Sequence, residues 1–250
     1  MTSDGWSIDI DPPRPVRQLV ITGGWAHEFE RTAPHLVEGA AKAGIRTDTI
    51  DDLDEAAMAL ASRDYDLLTV YACWFTMGHE RYDQVRGEWS RRTPIALRDQ
   101  IVAHVEDGGG LMAVHTAPIC FDDWPLWGEI LGGRWNWDRS WHPAPSVVEV
   151  DPMGTGAGER HPIVDGLVAF QIVDERYSDL DVSPRSEVLA WSDADRQPAL
   201  WTHRFGSARV VVDTLGHDER SLDQPDHATI LRRSALWAAG FSDDAVRAMR

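Results

Sequence analysis

Two patterns of apolar and polar residues alternate along the first half of the chain. Short apolar runs predict strands, and the segments between them carry apolar residues at helical spacing. The predicted strands are Val16–Thr22, Arg46–Ile50, Asp66–Tyr71 and Leu111–Val114, the last after a Gly108–Gly110 turn. The predicted helices are Phe29–Gly44, Asp52–Ser62 and Pro94–Asp107, of which the first has an alternative start near Pro34. Strands that alternate with helices favour an α/β fold, a doubly wound and mostly parallel sheet with helices on both faces.

This alternation weakens after His115. Residues 120–142 are rich in Trp, Gly and Asp and contain one short predicted helix, Trp124–Leu131, so they are interpreted as a long insertion over the sheet edge. Short strands and one amphipathic helix follow: Ser146–Val150, Val168–Val173, Ser186–Trp191, Ala199–His203, Ala208–Asp213 and the helix Asp226–Ala239. Residues 1–15 carry three prolines and predict a loosely held arm, which leaves 16–250 as a single domain.

The amino-acid composition excludes several classes of protein. The 250 residues are 43% hydrophobic and 26% charged, as in soluble globular domains. A formal net charge of -17 opposes binding to nucleic acid or to anionic membranes. No apolar stretch is long enough to span a bilayer, and no secretory signal is recognised. Two cysteines, Cys73 and Cys120, cannot form a disulfide framework, so a cytoplasmic location is expected, with homo-oligomerisation left open.

Histidines follow two of the predicted strands. His115 ends the central strand, and His27 follows the Gly23–Gly24 turn after the first strand. Ligands of open α/β sheets bind outside the carboxyl ends of the strands, where both histidines are expected. Either one could instead be an ordinary core histidine.

The chain has 12 Trp against 4 Tyr and 6 Phe. Several tryptophans lie in predicted loops: Trp25, Trp74, Trp124, Trp127, Trp135, Trp137 and Trp141. Flat indole rings with one N–H donor suit the wall of a sugar site. The alternative is that they pack together as a satellite cluster beneath a long loop.

Several short motifs occur in a fixed order along the chain. They are Gly23-Gly24-x-x-His27, Gly108-Gly109-Gly110-Leu111-x-x-x-His115, Leu131-Gly132-Gly133-Arg134-Trp135 with His142, His161-Pro162-Ile163, Asp174-Glu175-x-Tyr177, Pro198-x-x-Trp201 and Gly216-His217-Asp218. From about Val16 to Gly240, this order resembles the ThuA-like (trehalose utilisation) family. The resemblance implies a flavodoxin-like fold similar to the class I glutamine amidotransferases, and a role in sugar catabolism, with oxidised (3-keto) disaccharides as the substrates.

The resemblance also separates this chain from the amidotransferases. Their catalytic cysteine follows the central strand, where this chain has His115, as ThuA-like proteins do. Cys73 and Cys120 lie elsewhere, so glutamine hydrolysis through a thioester has no nucleophile here.

Two arrangements of the candidate residues remain open. In the favoured one, without a metal, the catalytic residues are His115, Glu175 and His217, and His115 or Glu175 removes a proton from the oxidised sugar. The predicted substrate contacts are Trp25, His27, Trp74, His142, Asp174, Tyr177 and Asp218. In the other arrangement, His115, His142 and His217 hold a divalent metal such as zinc, with Glu175 or Asp218 as a fourth ligand or as an orienting residue.

Asp174 and Glu175 are adjacent, and on an extended segment neighbouring side chains point to opposite faces. Glu175 is therefore expected to face the pocket, while Asp174 holds a backbone or a histidine. The predicted function is a lyase- or hydrolase-type enzyme acting on a small sugar. The alternative is a non-catalytic sugar-binding or regulatory protein with the same fold.

Overall fold

The computed structural model describes residues 15–62, 64–152, 160–193 and 195–250, which form eleven strands and eight α-helices. The strands are β1 (Arg17–Gly24), β2 (Arg46–Ile50), β3 (Leu67–Cys73), β4 (Gly110–Val114), β5 (Gly133–Arg134), β6 (Ser146–Asp151), β7 (Phe170–Asp174), β8 (Asp181–Val182), β9 (Glu187–Ser192), β10 (Gln197–Phe205) and β11 (Ala208–Asp213). The helices are α1 (Phe29–Lys42), α2 (Leu53–Ala61), α3 (Arg86–Trp89), α4 (Ile95–Glu106), α5 (Pro125–Leu131), α6 (Glu219–Leu222), α7 (Pro225–Ala238) and α8 (Asp243–Ala248). The predicted arm lies outside the described residues except for Pro15.

Nine strands form one sheet in the order β2-β1-β3-β4-β11-β10-β9-β6-β7. The first five are parallel, in the strand order of flavodoxin, which confirms the predicted doubly wound fold. The last four extend the sheet with antiparallel pairs. Every residue of β3 and β4 is buried, as expected of central strands covered on both faces.

Two groups of helices cover the parallel strands. Helix α1 packs against α7, and α2 packs against α4. The alternative start of α1 near Pro34 is wrong, since the helix begins at Phe29 and contains Pro34. Burial of Phe29, Ala33 and Leu36 against the core compensates for the backbone hydrogen bond that a proline cannot donate. None of the described helices has the length and apolar character of a membrane span.

The Trp-rich insertion divides into a buried and an exposed part. Trp124, Trp127 and Trp135 are buried, and the first two rings stack. Trp124 and Trp127 therefore pack together, as the satellite-cluster alternative predicts, whereas Trp135 packs edge-on against His142 and Tyr177. Trp137 and Trp141 stay 40% and 48% exposed.

A buried ion pair ties α7 to the end of β11. His227 is fully buried, and its ring nitrogens lie 3.1 Å from Asp213 Oδ2 and 2.8 Å from the carbonyl oxygen of Ser221. Both neighbours are acceptors, so both nitrogens donate and the ring is an imidazolium. Burial alone would lower the pKa of His227, but Asp213, helped by Ser221 and Asp174, outweighs burial and raises it.

This pair predicts a dependence of stability on pH. A histidine whose folded pKa is raised contributes stability that is fully present below its unfolded pKa of about 6.5, and that is lost as the pH rises through the folded pKa. We expect the free energy of unfolding, measured by urea titration from pH 6 to 9, to fall more steeply in the wild type than in a His227→Gln variant. A His35→Gln variant, altered in an exposed pair with Asp223, is the control and should follow the wild type. Equal slopes in the wild type and His227→Gln would contradict the assignment.

Candidate active site

Loops at the carboxyl ends of β1, β4 and β11 bring His27, His115 and His217 together around the carboxylate of Glu175. Glu175 Oε2 lies 4.0 Å from His27 Nε2 and 3.7 Å from His115 Nε2, and Oε1 lies 3.5 Å from His217 Nε2. His142, from the Trp-rich insertion, approaches from outside, with Nδ1 3.4 Å from Glu175 Oε2. Five residues that are distant in sequence therefore share one centre.

His115 occupies a strained turn directly after the central strand. Its φ is +54°, in the left-handed region, which costs a residue with a β-carbon about 1–2 kcal/mol. The backbone N–H donates to the carbonyl of Asp213 at 2.7 Å, and Nδ1 donates to the carbonyl of Thr214 at 3.1 Å. The side chain is fully buried. Burial and the neighbouring His27 and His217 hold the pKa of His115 well below its ordinary value, so the ring is neutral.

The turn after β1 places His27 against His115. Gly24 has a φ of +106°, and a β-carbon there would run into the backbone carbonyl of Cys73, so this close approach of two strand ends requires glycine. His27 Nδ1 lies 3.3 Å from the carbonyl oxygen of Trp25, and its Nε2 lies 3.0 Å from His115 Nε2. Burial lowers the pKa of His27 to about 4, although the Trp25 carbonyl opposes this shift.

His217 is oriented by the residue that follows it. Its Nδ1 lies 3.3 Å from Asp218 Oδ2, while its Nε2 faces Glu175. Burial would raise the pKa of Asp218, but hydrogen bonds from Arg220 outweigh burial and lower it to about 2. Asp218 is therefore ionised at neutral pH. Although Asp218 was predicted as a substrate contact, its position behind the His217 ring indicates that it orients this ring.

Asp174 and Glu175 face different partners, as the alternation of an extended segment predicts. Asp174 is fully buried and accepts hydrogen bonds from Gly216 N at 2.8 Å, from the Ser221 hydroxyl and from Glu175 N at 2.7 Å. It therefore holds the turn that carries His217. The prediction that Asp174 contacts the substrate is therefore corrected, because both of its carboxylate oxygens already accept hydrogen bonds from these groups.

Burial raises the pKa of Glu175, while His142 and His217 partly offset this shift.

His142 and Tyr177 border the cluster differently. The His142 side chain is 36% exposed, the most of the four imidazoles, and its Nδ1 also lies 3.0 Å from the carbonyl of Pro143. Tyr177 is buried, with its ring centroid 5.3 Å from that of His115 and 5.4 Å from that of His142. Within the described residues, the Tyr177 hydroxyl has no hydrogen-bond partner. A buried donor without a partner is a candidate contact for a bound molecule.

A cavity of about 890 Å³ opens beside the cluster, with His27 in its wall. Its lining includes Gly23, Gly24, Trp74 and Trp89, and the two indole rings stack. This volume lies in the range of small-ligand sites. Trp74 therefore lies in a concave wall, and its contact with substrate stays a prediction. Trp25 instead packs edge-on against Phe75 and Tyr82.

The structure brings together a different set of candidate metal ligands from the one that the sequence suggested. His27, Glu175 and His217 are the residues whose ligand atoms all lie within 4.8 Å of one another in the described parts of the chain. The sequence-based set of His115, His142 and His217 omitted His27, which was assigned only to substrate binding. Strands β1 and β4 both pair with β3, and this order of a doubly wound sheet was the signal that could have placed His27 beside His115.

Comparisons with known proteins give the same family over nearly the whole chain. The family model described as "ThuA: Trehalose utilisation" matches residues 17–238. A ThuA-like protein structure from Parabacteroides merdae is 18% identical, with 91% of each chain covered and a TM-score of 0.71. Another from Bacteroides uniformis is 17% identical, covering 90% of this chain and 91% of that chain at a TM-score of 0.63.

A cytoplasmic protein from Salmonella typhimurium LT2 is 17% identical over 89% of this chain and 99% of its own, with a TM-score of 0.61. At these identities the structures are evidence of the shared fold. The comparison with curated proteins found no significant match.

Proposed function

Because the chain belongs to the ThuA (trehalose utilisation) family, we propose that it is an enzyme that eliminates the glycosidic group from oxidised (3-keto) sugars by acid/base chemistry. The observation that carries the proposal is the pairing of His142 with Glu175 beside the imidazoles of His27, His115 and His217. A carboxylate beside one nitrogen of an imidazole fixes its tautomer and leaves the other nitrogen as a base, as in other acid/base sites.

His142 is the proton carrier in this proposal. Its Nδ1 is directed to the Pro143 carbonyl and to Glu175, so in the matching tautomer Nε2 carries the lone pair, on a side chain that is 36% exposed. His115 was predicted for this role, but it is fully buried and its Nε2 faces His27. We therefore assign proton transfer to His142, and positioning of the site to His115.

The ketone at C3 makes elimination feasible. It acidifies the proton on C2, which His142 Nε2 removes, and the electron pair forms an enolate with the C3 oxygen. When the ketone re-forms, a C1–C2 double bond forms, the C1–O bond breaks, and the departing oxygen takes a proton from water. The resulting hydroxide takes the proton from His142, which restores the base and re-forms water. No oxidant or reductant is consumed. The unpartnered Tyr177 hydroxyl is suited to donate a hydrogen bond to the sugar.

The substrate and location of the reaction complete the proposal. The stacked Trp74 and Trp89 rings in the wall of the adjacent cavity offer an apolar face to a sugar. We place the reaction in the cytoplasm, where Cys73 and Cys120 stay reduced. Burial raises the pKa of Cys73 well above its ordinary value and that of Cys120 to about 12, so both are unreactive thiols.

The proposal predicts discrimination between a keto sugar and its parent sugar. We expect the protein to convert 3-keto-trehalose to an unsaturated keto sugar and glucose, followed by NMR, and to leave trehalose unchanged because its C2 proton is not acidified. Exchange of the C2 proton for deuterium in heavy water would show the first step directly. Binding of both sugars without turnover would contradict the proposal and favour a sugar-binding protein.

A further inference from the structure

His27, His115 and His217 share one pattern of hydrogen bonds. Each Nδ1 faces an acceptor oxygen: the carbonyl of Trp25 for His27, the carbonyl of Thr214 for His115, and the carboxylate of Asp218 for His217. This geometry favours the tautomer in which Nδ1 carries the N–H. In that tautomer Nε2 presents its lone pair.

These lone pairs are crowded into one place. His27 Nε2 and His115 Nε2 lie 3.0 Å apart, although neither has a proton to donate to the other. His217 Nε2 lies 3.5 Å from a carboxylate oxygen of Glu175, which is also an acceptor. Acceptors brought together and shielded from water repel one another unless a cation lies between them.

The same arrangement is the one that metal-binding histidines adopt. Their second ring nitrogen almost always donates to a carboxylate or a backbone carbonyl, which fixes the tautomer and the direction of the ring. Around zinc, ligand atoms at about 2.0–2.1 Å stand about 3.3 Å from one another in a tetrahedral site. Four of the distances between Nε2 and Oε atoms here are 3.0 to 4.0 Å, and the ligand atoms of His27, Glu175 and His217 all lie within 4.8 Å of one another.

We propose that His27 Nε2, His217 Nε2 and the Glu175 carboxylate bind one divalent transition-metal ion. Two imidazoles and a carboxylate are the three protein ligands of one class of catalytic zinc site, in which the fourth position stays open for water or substrate. These three residues form the mutually close set, and His115 lies beside it, with its Nε2 3.0 Å from His27 Nε2 and 3.7 Å from Glu175 Oε2. His142 lies outside the set, because its Nδ1 is directed to Pro143 and Glu175.

The ion gives the clustered imidazoles a chemical role. In a further step, which rests on the proposed function, it would bind the ketone oxygen of the sugar as an added ligand and stabilise the enolate formed when His142 takes the C2 proton. The site itself needs no sugar, so it can be tested in the absence of one.

The test is the metal content of untagged protein. Metal is first removed with a chelator, and the protein is then dialysed against zinc. We expect about one zinc per chain in the wild type, measured by inductively coupled plasma mass spectrometry. His27→Gln and His217→Gln should weaken zinc affinity by 100-fold or more, since glutamine supplies no imidazole. His142→Gln should retain the metal, as should the surface control His35→Gln.

Folding is checked by circular dichroism and by thermal unfolding with and without zinc, because a native-state ligand raises the melting temperature. Wild type without bound zinc, or equal zinc in the wild type and the folded His27→Gln variant, would overturn the metal site. Turnover of 3-keto-trehalose by metal-free protein would also overturn the catalytic role of the ion while leaving the proposed reaction intact. Zinc binding without turnover would uphold the site and contradict the reaction.

Discussion

Replacement of His142 by glutamine is expected to lower kcat on a 3-keto glycoside by about 10²- to 10⁴-fold, the usual contribution of a general base. Glutamine preserves the size of the side chain and a hydrogen bond toward Glu175, but it cannot take up a proton. Because His142 is partly exposed and lies in a loop, the fold should be unaffected. Single-turnover kinetics on the purified variant, followed by NMR, measure the effect.

The control for this prediction is His79→Gln. His79 caps a short 3₁₀ turn, Glu80–Tyr82, on the surface and contacts none of the clustered imidazoles. Its turnover should equal that of the wild type. If His142→Gln retained kcat within a factor of three of the wild type, His142 would not be the base, and proton transfer would have to be assigned to another member of the cluster.

Removal of the Asp174 carboxylate is the second change with a large expected effect. Asp174→Ala leaves the Gly216 and Glu175 N–H groups and the Ser221 hydroxyl without their acceptor in a fully buried place. Each unsatisfied buried group costs about 1–3 kcal/mol, so we expect the free energy of unfolding to fall by about 3 kcal/mol or more. Urea denaturation measures this loss.

Asp174 is a positioning residue, and a second readout separates that role from simple destabilisation. At a temperature where the variant is fully folded, the turn that carries His217 should still be displaced, so kcat should fall while KM changes little. Asp223→Ala, which breaks an exposed ion pair with His35, is the matched control and should lose no more than about 1 kcal/mol. Full activity of folded Asp174→Ala would show that the turn does not depend on this carboxylate.

The sequence predicted the parts of the site that depend on local order. A buried run that stops at His115, and the glycine turn before His27, placed both residues at the carboxyl edge, because parallel strands end together. The opposite directions of Asp174 and Glu175 also follow from strand geometry. These predictions required only the spacing of apolar residues along each strand or helix, together with the fold class.

The rest of the site depends on contacts that no local pattern encodes. Glu175 follows β7, at the far edge of the antiparallel strands, yet it meets imidazoles that follow β1, β4 and β11. Its position depends on the packing of β7 against α6 and on the hydrogen bonds from Gly216 and Ser221 to Asp174. The choice of His27 over His142 in the inner cluster depends on loop directions, and the burial of Trp124, Trp127 and Trp135 depends on packing. Spacing along the chain specifies none of these.

The long sequence separation between residues of the site also has a consequence for the order in which the protein folds. His27 and His115 are 88 residues apart in sequence, and Tyr71 bonds to the carbonyl of Gly216 across 145 residues. Contacts between such distant residues are slow to form, because the entropy of closing long loops is lost before the contacts stabilise the chain. The imidazole cluster is therefore expected to assemble in the last kinetic phase of refolding, after the early strands have paired with their helices. Recovery of catalytic activity would then lag behind recovery of secondary structure, and the newly made chain would be inactive until its C-terminal strands are in place.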